Sequence, residues 1–336
     1  MKPSGTLLLN RGEVANLLTI EECMVAVEEA FRLHAEGKTT KPEVLGIHAQ
    51  DGVFHIKAGL LNLGRSYFAA KTNSNFPHNV RRYDLPLIQG VIVLCDADNG
   101  YPLALMDSME ITVIRTGAAT GVATKYLARN DASVVTICGC GNQGRISLKA
   151  IAKLRPISRA YAWDLDYRQA QRFADELSDK LAVTIDPIND LSNAAKDSDI
   201  CITCTPSKEP FLKREFVSPG TFIAAVGADS DDKQELEPGL IADNKVVVDL
   251  LDQCAVIGEL HHALKAGLLT RQQVDAELGE IISGKKAGRE SDDEIIIFDS
   301  TGTALQDVAA AAIVYEKALS NGAGVVINLA EKSSEY

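Results

Sequence analysis

Positive charge is what this chain of 336 residues most plainly lacks: 34 Lys and Arg stand against 46 Asp and Glu, for a net charge of −12. Nucleic acid and anionic membrane surfaces both require a basic face, so neither is expected as a main partner. No apolar run approaches the roughly 18 residues of a membrane span. Met1-Lys2-Pro3-Ser4-Gly5 lacks the apolar centre of a secretory signal, and the expected compartment is the cytoplasm. The seven cysteines are odd in number and scattered. Cys138, Cys201 and Cys204 fall in apolar strand-like runs, where buried reduced thiols are the default. Cys201-Ile202-Thr203-Cys204 has C-x-x-C spacing, yet it lies within a predicted strand and has no second pair. His55 and His78 have no His or Cys partner at metal-ligand spacing, so no metal is expected. Internal repeats and low-complexity segments are also lacking.

What is present centres on Val134-Val135-Thr136-Ile137-Cys138-Gly139-Cys140-Gly141-Asn142-Gln143-Gly144. An apolar β-branched run ends in G-C-G-N-Q-G, a helix-like segment from Arg145 to Leu154 follows, and Ala160-Tyr161-Ala162-Trp163-Asp164 closes the unit with a carboxylate. Glycine clusters alone also mark ordinary turns. Between a strand and a helix, with an acidic residue about 20 positions on, they form the dinucleotide fingerprint. Gly139 allows the tight turn, Gly141 lets the backbone approach a pyrophosphate, and Gly144 lets helix and strand pack closely. The free N–H groups of Asn142 and Gln143 at the helix start then favour phosphate. The competing reading is a βαβ unit without ligand. Asp164 stands where ribose hydroxyls are bound and would repel a 2′-phosphate, which favours NAD, with NADP second; nearby Arg168 and Arg145 soften that preference. A helix N-cap is the alternative role for Asp164.

Elsewhere, Thr19-Ile20-Glu21-Glu22 is a capping box that opens a helix stopping at Gly37. From Val44 to Asp107 short runs such as Val53–Lys57, Tyr67–Lys71, Gly90–Leu94 and Leu103–Met106 predict an antiparallel sheet, with a hairpin turn at Asp96–Gly100. Ile111 to Leu127 reads as a helix rich in Ala, Gly and Thr that packs closely. Strands at 133–138, 160–163, 182–185, 199–204, 221–226, 245–249 and 294–298 then alternate with helices. That rhythm implies a mostly parallel sheet covered on both faces. An apolar helix from about Ala304 to Ser320 ends the pattern.

Ligands of an open parallel sheet bind beyond the carboxyl ends of its strands. Three polar segments follow such ends: Thr203-Cys204-Thr205-Pro206-Ser207, Gly227-Ala228-Asp229-Ser230-Asp231-Asp232-Lys233, and Phe298-Asp299-Ser300-Thr301-Gly302. Asp229 is a candidate for proton exchange with a substrate amine; a solvated acidic turn is the alternative. Lys57, Lys71 and Arg115 are cations at strand mouths or in the Ala-rich helix. Arg115, beside Thr116, can grip a substrate carboxylate or a cofactor phosphate in bidentate fashion. For each cation a structural salt bridge or a surface position is the alternative.

In combination, Ala69-Ala70-Lys71, Leu105-Met106-Asp107, Arg115-Thr116-Gly117-Ala118-Ala119, Ala123–Arg129, the glycine loop, Thr205-Pro206-Ser207, Gly227-Ala228-Asp229 with Lys233–Leu236, and Phe298–Gly302 with Gln306-Asp307 resemble the ornithine cyclodeaminase/mu-crystallin family. The likeness is closest to its archaeal-type alanine dehydrogenase branch. It implies an α/β chain with a Rossmann-type doubly wound parallel sheet plus an α+β substrate-binding and dimerisation domain. The limits would be 1–115 with 306–336 for the latter and 116–305 for the NAD(P)-binding domain. It also implies a homodimer and NAD(P)-dependent chemistry at C2 of a small amino or imino acid. Lys71 and Arg115 would hold the substrate carboxylate, Asp229 would act as acid/base, and Lys233 would stand nearby. Lys71 and Asp229 are the catalytic candidates. Lys57, Lys233, Thr301 and Gly302 join Lys71 and Arg115 on the substrate side. Arg115, Thr116, the glycine loop, Asp164, Arg168, Thr205, Pro206, Val226 and Gly227 serve the cofactor. The Gly227-Ala228-Asp229-Ser230 loop departs from the Gly-Asp-Cys of ornithine cyclodeaminases, and Glu43 stands near the place of a second cation, for which Lys57 is the substitute. Cyclodeamination with catalytic NAD, and a crystallin-like protein that only binds, are the other readings.

Overall fold

Residues 5–329 are described by the computed structural model. They divide into one unit made of the chain up to Arg115 and from Thr303 onward, and a second unit, Thr116–Gly302. The return comes at Thr303 rather than at 306, because the last helix already starts at Ala304 with Thr303 as its N-cap residue.

The first unit opens with β1 (Thr6–Leu9), α1 (Arg11–Leu17) and α2 (Ile20–Ala35). Both helices start in capping boxes, Asn10 with Glu13 and Thr19 with Glu22, which satisfy otherwise orphaned N–H donors. Next come β2 (Glu43–Ala49), β3 (Gly52–Asn62), β4 (Ser66–Asn75), the short α3 (Asn79–Tyr83), β5 (Ile88–Asp96) and β6 (Pro102–Asp107). The helix α4 (Met109–Leu127) carries the boundary between the units.

The second unit runs β7 (Val134–Cys138), α5 (Asn142–Leu154), β8 (Arg159–Trp163), α6 (Tyr167–Leu181), β9 (Thr184–Ile188), α7 (Leu191–Asp197), β10 (Ile200–Thr203) and β11 (Phe222–Ala225). It continues through α8 (Pro238–Ala242), β12 (Lys245–Val248), α9 (Leu251–Ile257), α10 (Glu259–Lys265), β13 (Ala276–Glu277), α11 (Leu278–Ile282) and β14 (Ile296–Asp299). Its sheet has the order β13-β12-β14-β11-β10-β7-β8-β9, parallel throughout, and the strand order reverses between β7 and β10. Every residue of β10, β11 and β14 is buried, as expected of strands covered on both faces. The strand expected at 182–185 begins instead at Thr184, since Ala182 takes a left-handed conformation (φ 53°) to end α6.

The chain then returns through α12 (Ala304–Asn321) and β15 (Val325–Ile327). The sheet of the first unit is β15-β1-β6-β5-β4-β3-β2, antiparallel except where β1 meets β6. Alternation decides its two faces. Leu7, Leu9, Met106, Ile92, Leu94, Ala69 and Leu61 are buried on the face that α12 covers, with α2 packed against that helix. Close approach needs small residues: a Cβ on Gly59 would lie 3.2 Å from Ala304 Cβ. The opposite face is largely bare.

Candidate active site

The glycine loop begins with a positive φ, a conformation that favours glycine, directly after β7. Gly139 has φ +105°, and a Cβ there would lie 2.9 Å from both Cys204 O and Thr205 Cγ2. A Cβ on Gly144 would collide with Gly139 O and lie 2.9 Å from Ile137 Cγ2, so glycine is what lets α5 sit on β7. Gly141, by contrast, has open space where its Cβ would be, and no side chain caps α5 behind it. An uncovered helix start of this kind presents N–H donors and positive dipole to an anion. The residues therefore fit a pyrophosphate.

Asp164, half-exposed after β8, accepts a hydrogen bond from Cys140 N (2.9 Å) through one oxygen and from Asp166 N (3.0 Å) through the other. It thus steadies the glycine loop. The N-cap of α6 is Asp166, not Asp164. Arg145 is committed to Glu176 (2.9 Å) and lies over the Phe173 ring, while Arg168 is exposed on the first turn of α6. Thr116 is buried on α4, where its carbonyl accepts from Thr120 Oγ1; Gly117 next to it has no room for a Cβ beside Ile146 of α5.

Beyond β10 lie Thr205 and Pro206; beyond β11, the buried Val226, then Gly227 and Asp229. The Asp229 side chain is exposed and pairs with Lys233 Nζ at 2.5 Å, which also lies 3.5 Å from Gly227 O. Beyond β14, Thr301 and Gly302 are buried. Asp249 accepts from Thr301 Oγ1 (3.2 Å) and Gly302 N (2.7 Å), and Gln253 Nε2 donates to Thr301 Oγ1 (2.7 Å) and Gly302 O (2.9 Å).

In the first unit, Lys57 and Lys71 are paired across β3 and β4, so both side chains leave the same buried face. Lys71 Nζ lies 2.8 Å from each carboxylate oxygen of Asp307 and 3.4 Å from Thr112 Oγ1. Arg115 donates through Nε to Asp307 (3.1 Å) and through Nη1 to Gln306 Oε1 (2.9 Å). Two buried cations thus share one carboxylate, leaving a positive charge that suits a carboxylate ligand. Gln306 Nε2 is buried beside them with no hydrogen-bond partner, a further donor for the same anion. Burial pulls Lys71 down to about 7, against the opposite pull of Asp307. Burial works to raise Asp307, but Lys71 and Arg115 outweigh it and hold its pKa below the usual range. Asp307 and Gln306, matched in the family pattern, carry no assigned role in the sequence reading. Their signal is polar side chains on two successive positions of an otherwise apolar helix.

An uncapped helix behind G-x-G-x-x-G, at the reversal of a parallel sheet, defines a dinucleotide-binding protein of the Rossmann class. The model of the ornithine cyclodeaminase/mu-crystallin family matches residues 5–322, and the chain belongs to that family. It is 40% identical to an alanine dehydrogenase of Archaeoglobus fulgidus over 95% of this chain and 97% of that one. Its fold superposes on an archaeal alanine dehydrogenase dimer with bound NAD at a TM-score of 0.92, with 40% identity over 96% and 99% of the two chains. On the Thermococcus litoralis Δ1-pyrroline-2-carboxylate reductase, solved with NADH and L-proline, the TM-score is 0.90 at 35% identity, covering 96% and 100%.

Removing one partner of a buried ion cluster costs about 3–5 kcal/mol. Asp307→Asn should therefore lower unfolding stability by about that much in a denaturant titration. Lys71→Met should cost less, because this amine sheds its proton near pH 7. Equal losses for the two would contradict the assigned charge sharing.

Proposed function

We propose that the chain is an NAD-dependent oxidoreductase acting at C2 of a small amino or imino acid. Lys71 and Arg115 grip the substrate carboxylate, with Gln306 Nε2 as an added donor. Asp229 exchanges the proton of the substrate nitrogen, and Lys233, its partner at 2.5 Å, orients it. Lys57 lies on the same buried face as Lys71 and adds positive potential there. The backbone of Thr301 and Gly302, fixed by Asp249 and Gln253, borders the substrate side. Bound NADH supplies the hydride. The adenosine half belongs to Gly139, Gly141, Asn142, Gln143, Gly144 and Asp164, with Arg168 at the rim. The other half belongs to Thr116, Thr205, Pro206, Val226 and Gly227. Asp164, a carboxylate at the ribose position, favours NAD over NADP. The observation that carries the reading is the buried Lys71–Arg115–Asp307 cluster in a chain that also has an open glycine loop. A protein that only binds a dinucleotide has no use for it. The relatives' names, an alanine dehydrogenase and a pyrroline-2-carboxylate reductase, fall in the same substrate class.

Purified protein should oxidise NADH with a small 2-oxo acid plus ammonia or methylamine, or with pyrroline-2-carboxylate. If NADH stays flat across that panel while ornithine yields proline and ammonia, cyclodeamination replaces the reading. Asp229→Asn should lower kcat by about 10²–10⁴-fold, the usual worth of a general acid or base, with NADH affinity unchanged. Intact turnover in that variant would remove Asp229 from its role.

The carboxylate grip needs the Lys71 ammonium. A group whose folded pKa lies below its unfolded value binds fewer protons when folded. The contribution of Lys71 to stability therefore improves from about pH 7 to 10.5, while its hold on an anion fades over the same window. Inhibition by a 2-oxo acid without amine should thus weaken at least tenfold between pH 6 and 9. A flat inhibition constant would exclude Lys71 as the gripping cation.

We also propose a homodimer formed through the bare face of the first sheet. Leu45, Ile47, Phe54 and Val91 share that face by register and are 54%, 48%, 38% and 43% exposed. An apolar patch of this kind on strands calls for a partner, and a second copy is the occupant proposed here, since the similar archaeal alanine dehydrogenase is a dimer. Light scattering should give twice the chain mass of 36.1 kDa, falling to one chain mass for Leu45→Glu with Ile47→Glu. A monomeric unsubstituted protein would overturn this assembly. All seven cysteines are free, which agrees with a reducing compartment such as the cytoplasm. No described helix is long and apolar enough to cross a membrane.

A further inference from the structure

The second unit buries four carboxylates, Glu235, Asp249, Glu259 and Asp299, each at most 1% exposed, and only Asp249 has a part in the roles above. Three of them hold neighbouring stretches of backbone. Asp249 holds Ser300, Thr301 and Gly302; Asp299 accepts from Leu260 N (2.9 Å) at the start of α10; Glu259 accepts from Glu235 N (2.7 Å) and Leu236 N (3.1 Å). Glu235 differs because its two oxygens serve two separate loops. Oε1 accepts from Thr205 N (2.6 Å) and Thr205 Oγ1 (2.8 Å), beyond β10. Oε2 accepts from Gly227 N (3.1 Å), beyond β11.

The arrangement leaves no slack. A Cβ on Gly227 would collide with the Glu235 carboxylate and lie 2.6 Å from Thr205 O, so only glycine lets the carboxylate reach between the loops. Glu235 is itself pinned from behind by Glu259 and by the bond from Leu212 N to its carbonyl (3.0 Å). The segment from Gly227 to Glu235 also holds the Asp229–Lys233 pair, and His262 Nε2 lies 2.7 Å from Lys233 O. In a doubly wound sheet the ligand lies across the reversal of strand order. With the adenosine half at β7 and β8, the loops beyond β10 and β11 receive the nicotinamide half.

We propose that Glu235 is a positioning residue for the nicotinamide half of the cofactor: its carboxylate, shared between the loops beyond β10 and β11, fixes their separation and the stance of Asp229. This rests on the dinucleotide reading above. Glu235→Gln keeps the shape but turns an amide donor towards Thr205 N or Gly227 N, so one loop must let go.

The test compares two ligands by titration calorimetry on the full chain: NADH, and ADP-ribose, which lacks the nicotinamide. In Glu235→Gln the Kd for NADH should rise about tenfold, while that for ADP-ribose stays within twofold. A general loosening of the domain would weaken both together, and that result overturns the proposal, as does an unchanged NADH affinity. Should Glu235→Gln fail to fold, Thr205→Val removes only the hydroxyl contact and should weaken NADH about threefold with ADP-ribose unaffected. No difference there overturns the proposal equally. An unsubstituted protein that binds neither ligand overturns the dinucleotide reading itself, which separates the two failures.

Discussion

Asp307 holds the first unit together at its most expensive point. Lys71 comes from β4, Arg115 from α4 and Asp307 from α12, elements separated by up to 236 positions in the chain. Burying two cations there costs several kcal/mol per ion unless each is paired, so the fold tolerates Lys71 and Arg115 only once α12 has returned to deliver a carboxylate. A chain that leaves a domain for Thr116–Gly302 and comes back needs a reason to close. Apolar packing of Val308, Ala311 and Val314 supplies the drive, and Asp307 supplies the specificity of register.

The second unit solves its polar problem differently. Asp249, Glu235, Glu259 and Asp299 meet backbone N–H groups and hydroxyls rather than guanidinium or ammonium groups. Loops beyond parallel strands leave donors that no ladder satisfies, and a buried carboxylate collects several of them at once. The consequence is rigidity. The loops beyond these strands are tied from below by buried side chains. Burial raises the pKa of Glu235, Glu259 and Asp299, which is the cost of using carboxylates without counter-charge.

Legibility followed the length of the local signal. The central strands of the second unit read correctly because parallel strands covered on both faces are uninterrupted apolar runs, as in Ile200–Thr203 and Phe222–Ala225. β1, β13 and β15, with four, two and three residues, are too short to show any period, and they depend on neighbours for their pairing. β4 extends well past the expected run, since its outer end carries half-buried polar residues such as Asn73 and Ser74 that resemble a loop. Within the candidate site, Lys71 and Arg115 were visible as charges in apolar surroundings. Glu235 was not. In Lys233-Gln234-Glu235-Leu236 it has the look of a solvated turn, and only tertiary burial separates it from its exposed neighbours.

The Lys71 and Arg115 cations and the Asp229–Lys233 pair differ in their exposure to water, and that difference has chemical sense. A group that only binds an anion gains from burial, because attraction strengthens as water is excluded, and Lys71 and Arg115 are buried. A group that takes up and releases a proton, the role proposed for Asp229, has to remain connected to solvent, and the Asp229 side chain is exposed beside the half-buried Lys233. Moving Lys71 outward would restore an ordinary ammonium, freely charged but screened by water and weak as a grip. On the roles proposed above, this pattern of burial would separate holding from proton transfer.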